Sequence, residues 1–447
     1  MNRWLWVALA VGVVLSIVVT YRIAHLALIL GSEDGRWIYG YIYGFNPRSL
    51  VYSAIGFVIA AAPLLLSRET VRRREWWLLA YCLLTGTAIQ TRLRTLTPYT
   101  LGRVFESDGS NGYYGATRQY RASVLLKDFD RLRPTLTIHP RSNMPGKIVF
   151  VYALERLSTD PSTLALLVIV LSNFGGVVLY WLVRDLTSDP LVALTSFVFY
   201  LFVPGKLFFF PILNTITPVV VIVCLYLWNR AIRHGHVLWS VALGAGLFGL
   251  TVFEPLPLVT GLMFAALAVS AFANGEVDVR RLATHAAAAA AAFLAAMLAM
   301  RLWLHFDLAT VLRHVTADAV EFNTIARRPY RIWVWRDLVD FSIAAGLVQT
   351  FLFVALVLSI LREWRGIGRN WMAAFAVSLA ATLAVTDLLG VNRGETVRLW
   401  IFFACLVQVP AAYVCVRLQT RLATLATLAT SILVGAIGTS MMTFAQP

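Results

Sequence analysis

Apolar runs of roughly 16 to 22 residues recur along the whole chain, separated by short polar connections. A run of that length, coiled as a helix, spans the ~30 Å hydrocarbon core of a bilayer. The runs fall at about 4–21, 49–67, 76–91, 163–183, 190–209, 212–228, 237–253, 256–273, 283–303, 340–361, 371–389, 399–416 and 422–443. With 59% hydrophobic and 14% charged residues and a mean hydropathy of +0.73, so much apolar surface cannot be enclosed in a water-soluble particle of 447 residues. The expected fold is therefore an all-α polytopic membrane protein with about thirteen transmembrane helices.

Charge orients the chain. The net charge of +15 does not point to nucleic acid, because the arginines are scattered through short connections instead of being gathered on one polar domain. With the N-terminus inside, fifteen arginines fall in the short inner connections, among them Arg68, Arg184, Arg233, Arg281, Arg365 and Arg417. The short outer loops hold only Arg36, Arg48, Arg393 and Arg398, and the outer segment 304–339 adds five more to make nine. This bias places the long connections, 92–162 and 304–339, on the external side of a plasma (inner) membrane. The first run follows Arg3 without a small-residue cleavage site and reads as a signal-anchor helix. Cys82, Cys224, Cys405 and Cys415 all lie inside apolar runs, so neither disulfides nor metal ligation is implied.

Two low-complexity tracts, Ala286 to Ala292 and the Leu-Ala-Thr triplets from Leu422 to Thr430, consist of small residues that let membrane helices approach closely, and read as packing surfaces. Charges at membrane depth cost at least ~2.5–3.5 kcal/mol each. Lys206, Glu254, Arg301, His305, Asp307 and Asp387 all fall in the external half of the map, which favours a shared polar cavity there.

Three segments on that side carry chemistry. In the long first outer loop, which also contains stretches suited to interfacial helices, Glu106 and Asp108 stand beside flexible glycines and the pair Tyr113 and Tyr114. Asp108 is the candidate general base; with Glu106 it can instead hold a divalent cation, and the tyrosines can stack on a sugar. The alternative is an Asx turn with solvated acids. Farther along, His139, Asn143 and Lys147 surround a Pro145-Gly146 turn and suit phosphate or hydroxyl groups. Late in the chain, Arg393, Glu395 and Arg398 open a helix where cations and free backbone N–H groups can grip a phosphate; the alternative is an interfacial salt bridge.

From Trp76 onward the chain resembles the C-type integral-membrane glycosyltransferases. The resemblance rests on Asp108 with its Gly-Tyr-Tyr continuation, on the Pro145-Gly146 turn, and on Gly394-Glu395-Thr396-Val397-Arg398-Leu399-Trp400. The usual His of the turn is replaced by Asn143-Met144, and Pro211-Ile212-Leu213-Asn214 stands where many relatives keep an acid after Pro-x-x. The resemblance implies an N-terminal transmembrane hairpin over 1–75 and a catalytic module over 76–447. It implies inverting transfer of a sugar from a polyprenyl-phosphate carrier to an acceptor hydroxyl on a glycan, glycolipid or protein. Asp108 is then the base and Arg393, Arg398 and Lys147 the cations facing the leaving phosphate. No nucleotide cofactor is expected, since no glycine-rich nucleotide loop is present. Asp34, which also follows an outward run, is the alternative acid. A polytopic transporter or lipid-linked sugar flippase is the alternative function, although the chain has no internal repeat of the kind transporters carry.

Overall fold

Proline at the first turn and an acid or amide just before it set several of the helix starts. Asp160 caps the Pro161–Thr187 helix by accepting from the Thr163 backbone N–H, Asp189 caps Pro190–Leu201, and Asn370 caps Trp371–Leu389. The computed structural model describes residues 2–42, 44–363 and 368–447; Arg365 of the inner arginine set lies outside them. The described chain is almost wholly helical. Its one sheet among these residues is an antiparallel hairpin, Leu30–Ser32 with Trp37–Tyr39, pairing Leu30 with Tyr39 and Ser32 with Trp37.

Nine helices among the described residues are long and apolar enough to cross a membrane: Arg3–Ala24, Arg48–Leu65, Pro161–Thr187, Pro190–Phe209, Leu213–His234, Leu256–Ala273, Val279–Leu304, Trp371–Leu389 and Arg421–Met441. A tenth is reached if Tyr330–Ala345 and Leu347–Arg362, which meet at 113°, count as one broken span. Gly346, at φ +94°, makes that corner. The sequence reading of about thirteen exceeds this count for physical reasons. Glu75–Arg94 has the length but carries Glu75, Gln90, Arg92 and Arg94, while Val237–Phe253 and Ile401–Arg417 have 17 residues each. A 17-residue helix is roughly 25 Å long, short of the hydrocarbon core.

The connections sort into two sets. In the first, Arg68 pairs with Asp189, Arg184 with Glu75, Arg230 with Asp185, and Arg233 with Glu276. Those residues flank the inner connections of the sequence map. In the second, Lys147 pairs with Glu254, Arg328 with Glu395, Arg336 with Asp340, and Arg133 with Asp318. No ion pair among the described residues links one set to the other. The ion pairs thus fall into two separate groups, and the packing between the helices is mainly apolar.

That packing is centred on Ile401–Arg417, which is buried along nearly all its length. The Leu-Ala-Thr triplets lie on a mostly buried helix, with Thr424, Thr427 and Leu428 turned inward. The alanine tract belongs to Val279–Leu304, whose surface is largely outward-facing but which closes tightly on Val237–Phe253. A Cβ on Gly244 would stand 2.1 Å from the carbonyl oxygen of Ala289. All four cysteines are buried free thiols. Helix Asn2–Ala24 packs against Leu347–Arg362 and Arg421–Met441, and the hairpin that follows it docks on Tyr330–Ala345.

Candidate functional site

The turn after Trp371–Leu389 is unusual in its backbone. Gly394 has φ +74° and Glu395, which has a side chain, has φ +61°. A non-glycine residue in the left-handed region costs roughly 1–2 kcal/mol, so the surroundings must hold it there. They do so through Asp337, whose Oδ1 accepts from the Gly394 N–H at 3.0 Å and lies 3.3 Å from the Thr396 hydroxyl, and through Trp333, whose ring lies 3.0 Å from where a Gly394 Cβ would be. Gly394→Ala is expected to lower stability by about 1–2 kcal/mol, read as a fall in the unfolding midpoint in detergent. An unchanged midpoint would show the turn is relaxed.

The turn delivers the Glu395 carboxylate between two guanidinium groups, Arg328 at 3.2 Å and Arg398 three residues along the helical turn. Arg328 is 4% exposed and stacks over the rings of Trp37 at 4.7 Å and Phe322 at 4.8 Å. Burial alone would raise the Glu395 pKa; Arg398 and Arg328 more than offset it and hold the carboxyl below its ordinary range. The Arg398 guanidinium, also buried, is held charged chiefly by Glu395. Tyr39 of the hairpin is enclosed in the same field, its phenol pushed up by burial and then by Glu395.

The other half of the site comes from the long segment between Glu75–Arg94 and Pro161–Thr187. The Pro145-Gly146 turn sits so close to the end of Val237–Phe253 that a Cβ on Gly146 would meet the Val252 carbonyl oxygen at 2.5 Å. Only glycine allows this approach, and it brings Lys147 Nζ to 3.0 Å from Glu254 Oε2. Glu254 also accepts from Asn214 Nδ2 at 3.2 Å and from the Thr217 hydroxyl. Lys147 is 1% exposed; burial lowers its pKa and Glu254 partly restores it. The buried ring of Tyr113 lies under the Lys147 ammonium at 5.9 Å, and burial followed by the Glu254 charge raises its phenol.

His139 connects these halves. Its Nε2 is 2.9 Å from the Gly109 carbonyl oxygen, and its ring lies in the fields of Arg398, Glu395 and Lys147. Burial first, then the positive charge of Arg398, lowers its pKa to about 4, so the imidazole is neutral at pH 7, Nε2–H donating and Nδ1 carrying the lone pair.

The loop tied down by that bond is itself a hydroxyl-closed turn. Ser107 Oγ accepts from the N–H groups of Gly109 and Ser110, Asn111 Oδ1 accepts from the Leu213 N–H, and the Ser110 hydroxyl bonds the Gln446 carbonyl oxygen. Asp108 and Glu106 project from this anchored loop. Both are exposed, and neither carboxylate has a hydrogen-bond or ion-pair partner among the described residues. Asp108 Oδ1 lies over Gly115, 2.7 Å from where a Cβ would be. The turn geometry thus agrees with a serine-closed loop, and it leaves the acid free.

The structure brings Tyr113, His139, Lys147, Glu395 and Arg398 together, with Asp108 and Glu106 at the edge of the same loop. It does not bring all the expected residues there. Tyr114 donates to the Thr159 carbonyl and carries Arg118 on its ring. Asn143 is spent on the His139 carbonyl, and Arg393 on the carbonyls of Gly390 and Arg328. Nor do the six costly residues share one cavity. Glu254 belongs to the site, Lys206 is buried elsewhere against Asn173 at 3.2 Å and the Tyr200 ring at 3.7 Å, Asp387 is buried near Asp337, and Arg301, His305 and Asp307 are exposed. The sequence reading missed Trp37, Tyr39, Arg328 and Asp337. Asp34, the alternative acid, sits exposed on the tip of the hairpin that supplies the first two.

Electrostatically the core of the site holds three cations, Lys147, Arg328 and Arg398, against two carboxylates, Glu254 and Glu395. Both arginines pair with Glu395, and the Arg398 side chain, 16% exposed, is the most accessible of the three cations. An anion arriving beside it would meet a guanidinium that shares the Glu395 carboxylate with Arg328. Among the described residues no group of three or more His, Cys, Asp or Glu side chains is arranged to hold a metal ion. No protein-family model matches the chain, and comparison with curated protein sequences likewise gives no match.

Proposed function

We propose that the chain is an inverting glycosyltransferase of the C-type, moving a sugar from a polyprenyl-phosphate carrier to an acceptor hydroxyl at the external membrane face. One observation carries the reading. The free Asp108 carboxylate stands one residue from the Gly109–His139 hydrogen bond, and His139 lies in the field of the Glu395–Arg398 pair. A base and a cation, Asp108 and Arg398, are thus supplied by segments 290 residues apart in the chain.

In the proposed reaction Asp108 takes the acceptor hydroxyl proton as that oxygen attacks the anomeric carbon. The bond from that carbon to the phosphate oxygen breaks, and its electron pair leaves on polyprenyl phosphate. Charge builds on the leaving oxygens, where Arg398, prepositioned by Glu395, stabilises it. Lys147, enclosed and committed to Glu254, braces the loop that carries His139 and does not contact the phosphate. Neutral His139 holds the Asp108 loop in place through Gly109. Tyr113 borders the sugar position.

The test is reconstitution of the purified protein in liposomes with a panel of polyprenyl-phosphate sugars and acceptors. Formation of a new glycosidic bond of inverted configuration is the expected result. Movement of the carrier across the bilayer without bond formation would replace the enzyme with a transporter. Sidedness has its own check: with the four native thiols buried, cysteine introduced for exposed Ser123 should react with an impermeant maleimide in intact cells, and cysteine for exposed Arg280 only after lysis. The reverse pattern would turn the molecule over.

A further inference from the structure

The face of Glu75–Arg94 that lies against Pro161–Thr187 leaves an open groove of about 590 Å³. Its walls include Leu83, Leu84, Leu166 and Phe174, and three of these are strongly exposed: Leu84 70%, Leu166 41% and Phe174 47%. Polar groups enter at the end nearest the long outer segment. There Arg92 and Thr91 line the groove, and the Arg92 guanidinium is steadied by the Tyr52 hydroxyl at 3.0 Å and the Tyr52 ring at 5.1 Å.

The electrostatics of this helix end are unfinished. Neither Arg92 nor Arg94 takes part in an ion pair among the described residues. Arg94 is only 4% exposed, yet its Nε and Nη2 have no hydrogen-bond partner, and the buried hydroxyl of Thr91 has none either. Arg94 turns inward and does not line the groove; Arg92 does, and without an ion-pair partner its natural complement is an anion. An apolar channel along an exposed helix face, closed at one end by the Arg92 cation, has the polarity of a lipid with an anionic head and a hydrocarbon tail.

We propose that this groove binds a bilayer phospholipid with an anionic phosphate headgroup, its phosphodiester at Arg92 and one acyl chain along Leu84 and Phe174. A free phosphate would leave the apolar channel uncovered. The isoprenoid carrier is not the occupant, because none of the groove-lining residues belongs to the Arg398 site.

Native mass spectrometry of the detergent-purified full chain tests this, with phosphatidylglycerol, phosphatidylcholine, inorganic phosphate and polyprenyl phosphate as probes. Wild type should retain one phosphatidylglycerol more tightly than the others. Arg92→Gln should weaken it about tenfold, the worth of one charge-assisted hydrogen bond. Leu84→Trp, which fills the channel on an exposed surface and leaves every arginine intact, should abolish it. Equal retention by wild type and both variants would overturn the site. So would competition by inorganic phosphate, which would reduce it to an anion site, or preferential retention of polyprenyl phosphate, which would give the groove to the carrier.

Discussion

Asp108→Asn is expected to lower kcat by roughly 10²–10⁴-fold, the range that a positioned general base contributes, while leaving the apparent affinity for the polyprenyl-phosphate sugar nearly unchanged. The amide keeps the shape and the hydrogen-bonded loop but cannot accept the acceptor's proton. The loop's own anchors, Ser107, Asn111 and the Gly109–His139 bond, do not involve the Asp108 side chain, so the substitution tests chemistry without loosening the fold. Glu106→Gln serves as the control, since that acid is equally exposed but lies before the turn, at the end of Leu101–Glu106. Undiminished turnover in Asp108→Asn, or an equal loss in Glu106→Gln, would remove Asp108 from the role of base.

The second large effect is on stability. Glu254→Ala leaves the Lys147 ammonium, 1% exposed, without its carboxylate, and should destabilise the protein by about 3–5 kcal/mol, as breaking one side of a buried ion pair does elsewhere. It also strips Asn214 and Thr217 of their shared acceptor. Pairing Glu254→Gln with Lys147→Met removes both charges and should recover most of that loss. Unfolding in detergent, followed by intrinsic fluorescence, reads both variants. A loss below about 1 kcal/mol in Glu254→Ala would mean that water, not Glu254, serves Lys147.

Much of this architecture is written locally. Apolar run length gave helices close to the expected positions, because in a bilayer the backbone must satisfy its own hydrogen bonds and helix is the local way to do so. The Gly394–Trp400 element and the Pro145-Gly146 turn were legible for a related reason. Both need glycine for a specific backbone demand, a positive φ in one and a 2.5 Å approach in the other. Span number was less legible. The corner at Gly346 divides one apolar run into two helices at 113°, and nothing in hydropathy distinguishes a bent run from a straight one.

What escaped the sequence is pairing between distant segments. Glu254 stood out only as a costly charge; that it meets Lys147 and Asn214, residues noted separately, depends on three connections arriving at one end. Arg328 looked like one member of a basic outer segment, and Trp37 and Tyr39 stood out in no pattern of the sequence. Their convergence on Glu395 arises because Trp333 ties the hairpin to the late turn, donating to the Gly35 carbonyl at 3.1 Å while packing on Gly394. Conversely, Arg393 has the right type and position for a phosphate ligand, but its guanidinium is consumed by two backbone carbonyls. Residue type marks what a side chain can do, and the tertiary partners decide what remains free.

The claim beneath all of this is that the Asp108 loop and the Arg398 cluster act on one substrate. A double-mutant cycle on kcat/KM, built from Asp108→Asn, Arg398→Lys and the pair, measures that directly in the liposome assay. The account predicts strong non-additivity, the double variant being little worse than the weaker of the two singles, with a coupling of about 1 kcal/mol or more. Losses that simply multiply would place the two groups in independent surroundings and contradict it.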